Sequence, residues 1–381
     1  MTFHSCFRTI AAASVLAFAA TCAPAAEPGV SGAEIVLGQS LALTGPLAEL
    51  GKDIAAGTRA YFDSVNAAGG INGRRVRVVT LDDGYKADAT VKNVQQLVGE
   101  DQIFALFNVM GTPNCAAILP IVDREGVPFF SPFTGAEATR SPALPGVFNI
   151  RASYRDEAFK IVQHLTTVGI TKVAVVYQAN GFGKDGLAAV EAAMAKFGVK
   201  LHGSAPVAVD GSDAAQAVAA LNAREPQSVI LITAGKPTFE FIKAYNRVRR
   251  GMTFYTLSVM GAQANIKALG RDGVGVVVAS VVPFPWNTVH PLAKEYQAAM
   301  QKIGVTEYSF VSFESYINAK VLGEALRRAG KELTRAKLVA AADGMKSLSL
   351  GGFEIGFAPD SHQGSRFVEL TIIGAGGRFT K

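Results

Sequence analysis

The residues able to do chemistry are few. Gly181-Phe182-Gly183-Lys184-Asp185-Gly186 spells G-x-G-x-x-G between a β-branched run, Val173–Tyr177, and a helical pattern, the context of a dinucleotide-binding turn. Three residues, Gln178-Ala179-Asn180, nevertheless separate that run from the first glycine. The carboxylate expected about 20 residues on, at the end of the next strand, is missing, and Ala205-Pro206 stands there. A loop-to-helix turn is the preferred reading; a nicotinamide-dependent oxidoreductase is the weaker one. Asp82-Asp83 ends another strand-like run, where paired carboxylates could do acid–base work. No partner motif accompanies them, and capping of the following turn or helix is the commoner role. His164, His202, His290 and His362 lie far apart, and no phosphate-binding loop, H-E-x-x-H or G-x-S-x-G elbow is present. No catalytic residue, metal or cofactor is expected.

Two other loops suit binding. Val109-Met110-Gly111-Thr112-Pro113-Asn114 follows the strand-like Phe104–Asn108. Thr112 fits a helix N-cap and Pro113 the first helical position, while Gly111 lets a ligand approach the backbone. Pro132-Phe133-Thr134-Gly135-Ala136 follows Pro128–Ser131 and again combines hydroxyls, a glycine and an aromatic ring. Free N–H groups and the positive end of a helix dipole at such a loop suit a carboxylate.

The elements around these loops alternate. Strand patterns at 35–41, 76–81, 104–108 and 128–131 are interleaved with helical patterns at 53–66, 87–98 and 114–122. A second series restarts with a helix at 157–167 and a strand at 173–177. It continues with a helix at 183–197, a strand at 200–207 and a helix at 214–221. A strand at 229–233, a helix at 238–249 and strands at 254–257 and 274–280 complete it. Such alternation builds parallel sheets covered by helices on both faces, and ligands sit beyond the carboxyl ends of their strands. After Pro283-Phe284-Pro285-Trp286 come three helices in succession, at 292–303, 311–329 and 334–342, then a strand at 367–373. Helices without strands must pack on the existing lobes, which implies several crossings between them.

The chain of 381 residues exceeds the size at which one core stops growing, so two domains are expected. Its start carries Arg8, an apolar run at 10–20 too short to span a membrane, and Ala23-Pro24-Ala25-Ala26. This is the pattern of a signal peptide covering residues 1–26, so export to the periplasm is expected. Thr21 before Cys22 is a poor lipobox, and lipidation is not expected. Arg8 is the one charged residue of that segment, so the +6 of the whole chain becomes +5, with no long basic run and no nucleic-acid partner implied. Cys6 and Cys22 leave with the leader, which leaves Cys115 alone, a small buried hydrophobe by default. No later segment is apolar enough to span a membrane.

Several stretches, taken in order, resemble the leucine/isoleucine/valine-binding group of type I periplasmic binding proteins. They are Ile35–Gly51 with Thr44-Gly45-Pro46, then Asn66-Ala67-Ala68-Gly69-Gly70-Ile71-Asn72-Gly73, Leu81-Asp82-Asp83 and Glu125-Gly126-Val127-Pro128. The resemblance spans the mature chain. It implies an α/β fold of two doubly wound parallel-sheet lobes joined by three crossovers, lobe 1 being 27–147 plus 284–355 and lobe 2 being 148–283 plus 356–381. It further implies a monomeric receptor that closes on a small amino acid or organic carboxylate and hands it to the permease subunits of an ABC importer. A ligand sensor feeding a signalling partner is the alternative use of the same fold. By the resemblance, Thr112 falls where a serine binds the ligand carboxylate, Phe133 where a backbone carbonyl meets its ammonium, and Phe182 where an aromatic closes over it. Gly135 stands for a ligand-contacting threonine, with Thr134 beside it able to substitute, and Leu50 stands for a tyrosine. Tyr85 and Gly111 occupy the positions of the group's disulfide. Ser258 replaces the acid that pairs with the ammonium. Desolvating an ammonium without a carboxylate costs several kcal/mol, which favours a ligand without an amino group.

Overall fold

In the computed structural model, which describes Met1 and residues 27–380, two twisted α/β sheets stand side by side. The expected export segment lies, apart from Met1, outside the described residues. The first sheet holds β1 (Glu34–Leu41), β2 (Arg75–Asp82), β3 (Ala105–Phe107), β4 (Phe129–Phe130) and β5 (Val147–Phe148), all parallel in the order β2-β1-β3-β4-β5. Helices α1 (Ala48–Ala67), α2 (Ala87–Gly99) and α3 (Thr112–Glu125) connect its strands. From Ile35 onward β1 is buried on both faces, as a strand covered by helices must be.

The second half opens with α4 (Tyr154–Thr167), which is started by a capping box between Ser153 and Asp156. It continues through β6 (Val173–Gln178), α5 (Gly181–Lys196), β7 (Gly203–Val207), α6 (Ala214–Asn222) and β8 (Ser228–Ile232). Then come α7 (Lys236–Val248), β9 (Thr253–Thr256), α8 (Gln263–Leu269) and β10 (Val277–Ser280). The chain next forms α9 (Pro291–Lys302), α10 (Phe310–Ala329), α11 (Arg335–Asp343) and a small hairpin of β11 (Leu348–Ser349) and β12 (Glu354–Ile355). It ends in β13 (Glu369–Ile373) and β14 (Phe379–Thr380), which join the second sheet antiparallel beside β10. That sheet runs β14-β13-β10-β9-β8-β6-β7.

Helix α10 is laid along α1 of the first lobe. Ser315 Oγ donates to the Ile54 carbonyl at 2.6 Å and lies 2.9 Å from Thr58 Oγ1. Three crossovers, at 149–153, 281–290 and 356–368, therefore connect the lobes. The first and third are tied together: Asn149 N–H donates to the His362 carbonyl (2.9 Å) and Gly364 N–H to the Asn149 carbonyl (2.7 Å). Arg140 reaches across them, donating from Nη2 to the carbonyls of Arg151 and Ala152 and from Nη1 to Gln363. One contiguous apolar cluster spans both lobes. Leu41, Leu47, Leu50, Met110 and Phe133 of the first meet Tyr154, Phe182, Tyr255 and Leu257 of the second. The lobes are thus closed on one another.

Some boundaries differ from the sequence reading. The strand expected from Val274 begins at Val277, because Gly273 to Val276 form a turn and Gly275 takes φ +88°. The seven-residue α8 gave no usable periodicity in the sequence.

Candidate functional site

The carboxyl ends of β3 and β4 define one wall of the cleft. Each strand is followed by a buried non-glycine residue in the left-handed region, Asn108 (φ 51°) and Ser131 (φ 56°), a conformation sparsely populated by side-chain-bearing residues. The two turns are joined by Phe133 N–H to the Val109 carbonyl (2.8 Å) and Gly111 N–H to the Phe133 carbonyl (3.3 Å). This register places Thr112 Oγ1 and Thr134 Oγ1 2.7 Å apart, both buried. Thr112 is the first residue of α3, not its cap. Gly111 takes the cap position and has no side chain to satisfy the first-turn N–H groups. Glycine is required there twice over, since φ is 101° and a Cβ would stand 2.5 Å from Cε2 of Tyr85. The ring of Tyr85 therefore lies directly on Gly111.

Other first-lobe residues fall in place around this wall. Leu50, on α1, is buried beside Leu47 in the inter-lobe cluster. Gly135 has no room for a side chain: a Cβ there would meet Cδ1 of Tyr154 at 2.5 Å, and its carbonyl accepts the Tyr154 N–H at 2.8 Å. Gly135 packs beneath Tyr154, whose hydroxyl accepts from Thr134 Oγ1 at 3.4 Å. The Asp82-Asp83 pair is wholly engaged. Asp82 accepts from the N–H groups of Leu43 (2.8 Å), Thr44 (3.2 Å) and Gly84 (2.9 Å) and from Thr44 Oγ1 (2.7 Å). Desolvation opposes its charge, but these bonds together hold its carboxyl below the usual range. Asp83 accepts from Ser40 Oγ, Thr90 Oγ1 and the Tyr85 N–H. Both carboxylates shape the loops.

The opposing wall comes from the second lobe. The side chain of Asn180 accepts the Gly183 N–H at 3.2 Å and so starts α5. Phe182 is 2% exposed and meets Tyr154 edge-to-face at 5.3 Å. Helices α3 and α5 are in contact, and Phe182 at the start of α5 shares the inter-lobe apolar cluster with Met110 and Phe133. The glycine run is explained by packing. A Cβ on Gly183 would overlap the Gln178 carbonyl, and one on Gly186 would overlap the Ile232 side chain, so both glycines seat α5 on the sheet. β6 reaches Gln178, which makes the turn one residue tighter than the sequence suggests. Burial raises the Tyr85 phenol above its ordinary pKa, opposed by hydrogen bonding toward Asn180 and Gln178 of the second lobe. Tyr85 also packs against the apolar cluster that spans both lobes.

Ser258 leads to a group that the sequence reading missed. Its N–H donates to Glu157 Oε2 at 2.7 Å and its hydroxyl to Glu157 Oε1 at 3.1 Å. Arg151 Nη2 donates to Glu157 Oε1 at 2.8 Å and to Ser258 Oγ. On its other side Arg151 Nη1 lies 3.3 Å from Glu314 Oε1, contributed by α10. The serine that stands for an acid therefore has one carboxylate in direct contact and a second beyond the shared guanidinium. All three charged side chains are at least 96% buried. The guanidinium also faces the rings of Phe133 and Tyr154, at 5.7 and 5.6 Å from their centroids. Burial pushes Glu314 up to about 7, partly offset by Arg151 and reinforced by Glu157. Burial likewise raises Glu157. Burial alone would lower Arg151, but the two glutamates carry it above its ordinary value, so it stays charged. One signal in the sequence pointed here: Glu314 is the one acid in the buried stretch Phe310–Ala319 of α10.

The cleft thus gathers Leu50, Tyr85, Gly111, Thr112, Phe133 and Thr134 from one lobe and Phe182 and Ser258 from the other. These features define a two-lobed binding protein, and the family model described as "Periplasmic binding protein" matches residues 34–378. The chain belongs to that family. It is 24% identical over 335 residues to the Leu/Ile/Val-binding protein homolog 7 of Brucella abortus, covering 83% of this chain and 81% of that protein. A substrate-binding periplasmic protein from Ralstonia solanacearum is 32% identical, with a TM-score of 0.82 and coverage of 89% of this chain and 98% of that one. A branched-chain amino acid ABC transporter protein from Thermus thermophilus with bound valine shares the fold, with a TM-score of 0.82 at 20% identity over 91% and 94% of the two chains. The family consists of binding proteins, and the oxidoreductase reading has no support among these relatives.

Proposed function

We propose that this chain is the exported receptor of an ABC importer, capturing a small carboxylate-bearing ligand between its lobes and delivering it, as a monomer, to permease subunits. One observation carries the ligand class. The first turn of α3, uncapped by any side chain, is buried with the Thr112 and Thr134 hydroxyls, and Phe182 at the start of α5 shares the apolar cluster of Met110 and Phe133. Helix N-termini in a desolvated cleft favour an anion, and the hydroxyls supply directed donors. Phe133, Phe182 and Leu50 would cover the apolar part of the ligand, and Tyr85 would sense it from both walls. Capture works by population shift: the ligand stabilises the closed arrangement by its differential affinity for that state.

The Ser258 substitution alone no longer favours a ligand without an amino group, because Glu157 is bonded to it and Glu314 lies beyond the shared Arg151 guanidinium. Ligands with and without that group therefore belong in the same test. A thermal-shift screen of the mature chain against amino acids, aliphatic acids, aromatic acids and amides makes it. A carboxylate at about 100 times its dissociation constant should stabilise by about 2.7 kcal/mol. Stabilisation by no carboxylate of the panel refutes the reading. The export step is checked by N-terminal sequencing of the secreted form, which should begin at Ala26 or Glu27.

A further inference from the structure

We propose that Arg151 and Glu314 form a subsite for a second polar group of the ligand, and that this group is neutral with an acceptor and a donor side by side, a primary carboxamide or a urea-type group. The inference rests on the carboxylate-binding reading above. Two buried atoms of the ion cluster lack a hydrogen-bond partner, Nη1 of Arg151 and Oε1 of Glu314. They stand 3.3 Å apart, near enough to attract electrostatically but outside hydrogen-bond geometry. The other arms of the guanidinium are committed: Nη2 to Glu157 and Ser258, Nε to the Ala152 carbonyl at 3.4 Å. Both oxygens of Glu157 are committed as well, one to the Ser258 N–H and the other to Arg151 and the Ser258 hydroxyl. What remains is one donor atom, Nη1 with its two N–H groups, and one acceptor atom, Oε1 of Glu314, adjacent, beside the cleft rings of Phe133 and Tyr154.

The chemistry of these two atoms selects among ligand groups. Arginine only donates, and an ionised glutamate only accepts. A second carboxylate would satisfy Nη1 and confront the lone pairs of Glu314. An ammonium would satisfy Glu314 and confront the N–H of Arg151. A carboxamide offers its carbonyl to Nη1 and its N–H to Oε1 at once. Sites with buried hydrogen-bonding groups strongly reject analogues that leave those groups unpaired. The geometry thus points to a carboxylate that also carries an amide, read at its two ends by Thr112 and by the Arg151–Glu314 pair.

The test is a matched five-carbon series measured by calorimetry on the mature chain at pH 8: valerate, glutarate, the monoamide of glutarate, and 5-aminovalerate. The monoamide is expected to bind at least tenfold more tightly than each of the others. In Glu314→Gln, whose side chain can turn either edge to a ligand, that preference should shrink to within about twofold while valerate binding persists and so reports an intact fold. Equal or tighter binding of glutarate, or of 5-aminovalerate, overturns the proposal while leaving the carboxylate receptor in place. Binding of no member of the series overturns the carboxylate reading and this inference with it.

Discussion

Replacing Glu314 by glutamine isolates the energetic consequence of burying a second carboxylate beside one guanidinium. Burial holds Glu314 at about 7, against an ordinary value of 4.5 in the unfolded chain. A carboxyl raised in the folded state contributes stability that is complete below pH 4.5 and is lost as the pH rises through 7. Each unit of the shift corresponds to about 1.4 kcal/mol, so the loss across this window is about 3 kcal/mol. Glutamine has the shape of the protonated acid and does not titrate. The variant should therefore match the natural chain at pH 4.5 and exceed it by up to about 3 kcal/mol at pH 8, with the difference growing between those limits. Urea denaturation of both proteins at half-unit pH steps, compared as a difference, measures this directly. The comparison cancels the titrating groups that do not interact with Glu314; Glu157, which shares Arg151 with it, is the one whose titration shifts with the substitution. A difference independent of pH, or a variant less stable than the natural chain at pH 8, refutes the reasoning. The latter result would mean that attraction to Arg151 outweighs desolvation of the carboxylate.

Other substitutions probe separate parts of the argument. Thr112→Val removes the buried hydroxyl paired with Thr134 at nearly constant volume, and should weaken carboxylate binding by ten- to a hundredfold while costing the free protein only about 1 kcal/mol, read by calorimetry and by melting. Gly183→Ala places a Cβ into the backbone carbonyl of Gln178 and should destabilise the second lobe by about 3 kcal/mol or more in urea denaturation, whether or not ligand is present. Cys115 is fully buried, donates to the Val109 carbonyl at 3.1 Å and is raised by burial, so its thiol should resist alkylation in the native protein and react on unfolding, as mass spectrometry would show.

The alternation of strands and helices was legible because covered parallel strands read as apolar runs and their helices repeat every 3.6 residues. The loops proposed for binding were legible as turns at strand ends. Thr112 and Phe133 follow strand ends, and a chain that turns at such an end needs residues tolerant of unusual backbone. What escaped was pairing at a distance. Tyr154 fills the space over Gly135, so that glycine is required by packing whatever it touches in a ligand. The glycine run at 181–186 looked like a cofactor turn because a helix seated tightly on a sheet and a loop wrapped around a pyrophosphate both need residues without a Cβ. Only the neighbours Gln178 and Ile232 tell the two apart.

Ser258 shows the same limit in its most consequential form. A one-position comparison treats a lost acid as a lost charge. In the fold, charge at this point is supplied from three elements: Arg151 from the first crossover, Glu157 from the first turn of α4, and Glu314 from a helix that returns to the other lobe more than 150 residues later. None is adjacent to Ser258 in sequence, and the serine contributes the N–H and hydroxyl that satisfy Glu157. A buried carboxylate is tolerable only when such partners are in place. An acid at 258 would add a third negative group to the same desolvated pocket and deprive Glu157 of the hydroxyl it uses. The serine is thus matched to Glu157, and on the proposed subsite the polarity of the ligand would follow from what Arg151 and Glu314 leave unpaired.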